Sequence, residues 1–114
     1  MLQLYTLDND GNAVPASWAE YGEWHSRLPD EDRMGIGKLL RKETIGANTI
    51  ITIFLGAPIG YFHRSPQLWV SLTLGPGKLI EQVYSSTRAA LQGHGRTARQ
   101  LRRSSVAANF AKVA

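Results

Sequence analysis

Two periods alternate along this chain, and the places where one gives way to the other mark its parts. The stretch "LQLYTL" (residues 2–7) alternates apolar and polar side chains and predicts a strand. "DNDGN" supplies turn chemistry, because Asp, Asn and Gly tolerate positive φ and cap their own backbone. From residue 18 the period changes. Trp18, Tyr21, Trp24, His25 and Leu28 recur at helical spacing. Ser17 with Glu20 three positions on forms a capping box for that helix, and Pro29 ends it. "PDEDRMG" reads as a polar loop.

The period of two returns after residue 38. Ile36, Leu39 and Leu40 also fit a helix, but strand is the better reading of "LLRKETI", because Gly46–Asn48 then turns the chain into "TIITIFL". That run, residues 49–55, is β-branched and apolar at both parities, as a central strand should be. Gly56–Pro66 is a Gly- and Pro-rich loop long enough to have a role. In "QLWVSLTL", Leu68, Val70, Leu72 and Leu74 share one face while Trp69, Ser71 and Thr73 share the other. "GPG" leads into a last strand, "KLIEQVY" (residues 78–84). The expected core is Ile51, Ile53, Leu55, Leu68, Val70, Leu72 and Leu74.

Ser86 is placed to cap a closing helix on which Leu91, His94, Ala98 and Leu101 occupy one arc. Gly93 and Gly95 each cost about 1 kcal/mol of helix propensity. They predict either a bend or a helix that begins in earnest only after Gly95. The elements add up to an α+β fold, a single domain over residues 1–104. Its sheet has four to five mostly antiparallel strands, with the N-terminal helix and a basic C-terminal helix on one face. Residues 105–114 read as a tail.

Charge changes this picture. The net charge is +4, but residues 1–34 carry −5 and residues 35–114 carry +9. Either the acidic third covers part of the basic remainder, or the two present different faces to different partners. From Ser85 to Ala114 there are five arginines, one lysine and no acid. Arg88, Arg96, Arg99, Arg102 and Arg103 cluster on an arc away from Leu91 and Leu101, the electrostatic footprint of a polyanion binder. An acidic protein surface would suit it as well, and no base-reading motif accompanies it. A second candidate lies in "YFHRSP": Tyr61, His63 and Arg64 could stack on and clamp a partner, or their loop could fold over the sheet edge.

Other chemistry fails on residue type or spacing. The chain has no cysteine, which removes disulfides, thiol catalysis and cysteine metal sites. "DNDGNA" lacks the glycine and distal acid of a calcium loop, and "GIGK" lacks the phosphate-loop spacing. His25, His63 and His94 are isolated in sequence, with no i, i+4 pair for zinc. Glu43 and Glu81 are the only acids after residue 34, leaving few candidates for a carboxylate pair. No catalytic residues, metal or cofactor are expected. "MLQLYTLDND" has no secretory pattern and the longest apolar run is too short to span a membrane, so a cytoplasmic protein is expected.

Five stretches in order, "LYTLDNDGNAVP", the Trp18 and Trp24 helix, "TIITIFLG", "SPQLWVSLTLG" and "VYSSTRAALQGH", resemble a group of small bacteriophage and prophage proteins. The likeness covers roughly residues 4–95. That group shows an Asp-His pair where this chain has Ala57-Pro58, and a strand glutamate where it has Val70. The group has no established activity, so the resemblance implies a mobile-element origin and no mechanism. The expectation for function is a non-enzymatic protein that binds a host protein or nucleoprotein complex. An inhibitor of host defence of the anti-CRISPR kind fits that description. Two alternatives stand beside it: a small DNA- or RNA-binding regulator using the basic helix, and a minor phage structural protein.

Overall fold

In the computed structural model the backbone is described from Leu2 to Val113 and the side chains from Leu2 to Ser104. The chain opens with a hairpin of β1 (Leu4–Leu7) and β2 (Ala13–Ala16). Its turn is tied by Asp8, whose Oδ1 accepts the N–H groups of Asp10 and Asn12, both at 2.9 Å. Pro15 sits in β2 opposite Tyr5, and it can do so because β2 is an edge strand. The Tyr5 N–H is satisfied elsewhere, by the Gly56 carbonyl at 2.8 Å.

Helix α1 (Trp18–Ser26) starts as its capping box predicts: the Ser17 hydroxyl accepts the Glu20 N–H, and the Glu20 carboxylate accepts the Ser17 N–H. Tyr21 is its buried residue, while Trp18 is exposed despite lying on the predicted apolar arc. A short 3-10 turn, Asp30–Asp32, leads into β3 (Arg33–Met34), which pairs with β4 (Gly37–Ile45). Then come β5 (Asn48–Phe54), the small hairpin of β6 (Gly60–Phe62) and β7 (Ser65–Gln67), β8 (Trp69–Gly75) and β9 (Lys78–Tyr84). The main sheet is five-stranded and antiparallel, in the order β3-β4-β5-β8-β9, with β5 at its centre as predicted. The chain closes with α2 (Thr87–Val113), and the whole is an α+β fold with a helix at each end of the sequence. Residues 105–114, read as a tail, lie outside the described side chains.

Helix α2 is already formed at Thr87 and continues through Gly93 and Gly95, so it does not begin only after Gly95. Gly93 has a different use. A Cβ there would collide with the Tyr84 hydroxyl, so the missing side chain lets the helix lie close against β9. Ser86 caps the helix by accepting the Ala89 N–H at 3.0 Å, and Thr87 donates to the Gly11 carbonyl at 2.8 Å, joining the helix start to the first hairpin.

The expected core needs correction. Ile53, Leu68 and Val70 are buried, but Ile51, Leu55 and Leu72 are only half-buried and Leu74 is 41% exposed. The face sealed by α2 is the other one: Ile50, Thr52 and Phe54 on β5 against Thr73, Ser71 and Trp69 on β8. The reason lies in the helix. It presents Ala90, Gly93, His94 and Ala98, small or polar residues that fit closely over a face with hydroxyls at its middle and the rings of Phe54 and Trp69 at one end. At one end of this face Phe54 stands between Trp69 and Trp24, with ring centroids 5.4 and 5.9 Å away, which brings α1 to the same side. Leu91 and Leu101, expected to turn toward the sheet with Ala98, are half-buried at the margins.

Candidate functional site

A chain of polar side chains runs beneath α2. The Ser71 and Thr52 hydroxyls are 2.9 Å apart on neighbouring strands, and Thr52 Oγ1 lies 2.7 Å from His94 Nδ1. His94 Nε2 lies 2.9 Å from Glu43 Oε1, and Glu43 also receives Arg41 at 2.9 Å and Arg102 at 2.6 Å. Burial pulls the pKa of His94 down, and its bond to Glu43 only partly restores it, so the ring is neutral at pH 7. Burial pushes the Glu43 carboxyl up, but the bond from His94 and the charges of Arg41 and Arg102 outweigh it, leaving it below the usual carboxylate range. These two states fix every proton. Nε2–H donates to the ionised Glu43, so Nδ1 must accept from the Thr52 hydroxyl, which in turn accepts from Ser71.

Hydroxyl, imidazole and carboxylate in this order are the parts of a nucleophilic triad. Here Thr52 and His94 are fully buried and Ser71 nearly so. No substrate carbonyl could approach the Thr52 oxygen without lifting the helix. The arrangement serves to fasten α2 to two strands in one orientation. Among the described residues no group of His, Asp and Glu is placed to hold a metal ion.

The predicted basic stripe lies on the opposite side of the same helix. Arg88, Arg96, Arg99, Arg102 and Arg103 are all exposed. At about 100° and 1.5 Å per residue they occupy roughly a third of a turn over about 22 Å. Arg102 is held by Glu43, and the described ion pairs include no acid partner for the other four. The acids of the first third do not answer them. Glu23 pairs with Arg27 and Asp30 with Arg33, and Glu20 is used in its capping box. The reading in which the acidic third covers the basic remainder is therefore not realised among the described ion pairs.

The "YFHRSP" segment forms the tip of the β6–β7 hairpin. Phe62 pairs with Ser65, which leaves His63 and Arg64 as a two-residue turn, with φ of +49° and +66°. Such turns favour Asn-Gly, and two larger residues there carry backbone strain. Tyr61 and Phe62 are 62% and 61% exposed, and His63 and Arg64 are exposed as well, so these side chains do not fold over the sheet edge. The β7 side of this hairpin and the first arginine of the stripe meet at one cleft. A cleft of about 710 Å³ is lined by Ser65 and Pro66 from β7, by Ser86 and Arg88 from the start of α2, and by Tyr5 and Trp69. The sequence did not point to this cleft, because its walls come from three segments, around residues 5–15, 65–69 and 85–88, that share no motif.

No family model matches this chain, and no curated protein or solved structure is similar to it.

Proposed function

We propose that this protein acts by binding rather than by catalysis, docking on an acidic surface of a host protein or nucleoprotein complex through the outer face of α2. The observation that carries the reading is the arginine stripe: Arg88, Arg96, Arg99 and Arg103 stand exposed along one side of a helix that offers no acid to answer them. The adjoining cleft and the exposed Tyr61, His63 and Arg64 tip extend that surface with rings able to pack against a partner. The sealed Thr52–His94–Glu43 relay supports a non-enzymatic reading, since this triad-like set is inaccessible. The resemblance to phage and prophage proteins adds the setting: a mobile-element protein in the cytoplasm of a bacterial host, inhibiting a defence complex in the anti-CRISPR manner. Among the described residues no helix is long and apolar enough to cross a membrane.

The test is the double variant Arg99→Ala/Arg103→Ala. It should abolish capture of a host protein from nuclease-treated lysate while leaving thermal unfolding unchanged, because both positions are exposed. Binding to random duplex DNA at two salt concentrations separates the regulator reading. Steep salt dependence that flattens in the double variant would transfer the stripe to nucleic acid. A double variant that keeps every interaction would overturn the proposal.

A further inference from the structure

The face of the main sheet turned away from α2 is largely apolar, closed at one end, where Ile53 and Val70 are buried, and open over the rest. Three cross-strand rows make it up. The first is Leu39, Ile53, Val70 and Val83; the second is Lys42, Ile51, Leu72 and Glu81; the third is Thr44, Thr49, Leu74 and Leu79. Leu74 is 41% and Leu79 60% exposed, and Ile51 and Leu72 are half-buried although they lie on the two most central strands. The ring contact of α1 and the contacts of α2 fall on the opposite face. The middle row ends in one base and one acid, both exposed, and neither enters a described ion pair.

We propose that this face is covered by the same face of a second copy, about a two-fold axis parallel to the strands. Two sheets packed in this way lie about 10 Å apart with their strands nearly aligned, and a two-fold interface uses the same patch twice. An axis along the strands turns each row end for end. Lys42 then stands over the partner's Glu81 and Glu81 over the partner's Lys42, while Ile51 and Leu72 meet between them. An axis across the strands instead sets Lys42 on Lys42 and Glu81 on Glu81. The order Lys–Ile–Leu–Glu therefore selects both the occupant and the symmetry. Within one chain Lys42 and Glu81 are three strand spacings apart, about 14 Å, beyond the screening length of about 8 Å at physiological salt. Their complementarity is realised only between copies. The arginine stripes stay on the outer sides of such a dimer, so this inference does not depend on what the stripe binds.

Charge reversal tests it. Sedimentation velocity of the full chain across a concentration series should show a reversible dimer. Lys42→Glu and Glu81→Lys should each weaken it by about tenfold or more, because each puts like charges at two symmetric contacts. The double variant Lys42→Glu/Glu81→Lys restores opposite charges and should recover most of the loss. Both positions are exposed, and an unaltered melting temperature at low concentration confirms folding. A chain that stays monomeric, a dimer indifferent to the single reversals, or a double variant no tighter than either single would each overturn the proposal. So would sensitivity to Glu81→Lys alone, which would place the contact at the free edge of β9.

Discussion

The two faces of the main sheet exchange the roles their side chains suggest. The face that carries Thr52, Ser71 and Thr73 is sealed under a helix, with the fully buried His94 packed against it. The face read as core, with Ile51, Leu72 and Leu74, is half-open. The difference teaches that burial in a sheet follows the shape and bonding of what packs on it. A hydroxyl facing a histidine loses little by leaving water, since its hydrogen bond is remade inside. A row of leucines with no described element over it stays exposed however apolar it is.

The comparison breaks first at Phe54, where the sealed face is most crowded. Phe54→Ala should lower unfolding free energy in urea by about 3–5 kcal/mol, and a shift of less than about 1 kcal/mol would mean the aromatic cluster of Trp24, Phe54 and Trp69 is not central. Next comes His94→Leu, which leaves the Thr52 hydroxyl and the Glu43 carboxylate without their partner at a cost of about 1–3 kcal/mol. This variant also carries a pH signature. The pKa of His94 is lowered in the fold from its ordinary 6.5, so below that pH the unfolded chain takes up a proton that the fold resists. Stability should therefore fall as the pH is lowered through the ordinary histidine value. Glu43, also lowered from its ordinary 4.5, adds a further loss below that value. His94→Leu should flatten the upper part of this slope, and an unchanged slope would assign it to other groups. The smallest effect is expected on the open face: Leu79→Thr should move the thermal midpoint of a dilute sample by the equivalent of about 0.5 kcal/mol or less.

The elements were largely legible in the sequence, and the choice of face was not. The capping box at Ser17, the β-branched run ending at Phe54 and the glycine turns each act locally, and each fell where expected. The central strand is apolar at both parities, so its pattern could not say which side α2 would take. In β4 the alternation itself is interrupted. The register shifts between Leu39 and Arg41, so Leu39 lies on the open face while Arg41 and Glu43 lie under the helix. Read with an unbroken period of two, those three would share one side. The short strands were missed for a different reason: β2 contains Pro15, and β6 and β7 have three residues each, below the length at which alternation is visible. The arginine stripe was found because charge along a helix is read from spacing alone. The Thr52–His94–Glu43 relay was not, because its members are far apart in sequence and meet only through the sheet.

That relay also bears on the order in which the molecule assembles. The seat of His94 is made of Thr52 from one strand and Ser71 from its neighbour, and Glu43 comes from a third. None of these groups stands in place until β4, β5 and β8 have paired, so α2 has nowhere specific to dock in a chain whose sheet is unformed. The helix can gain its turns early, since those bonds are local, but its attachment closes loops of 42 and 51 residues and must wait for them. Thr87, bonded to Gly11 across 76 residues, makes the longest closure among the described hydrogen bonds. Contacts of this span slow folding, and amide exchange should show the attachment of α2 opening before the sheet does.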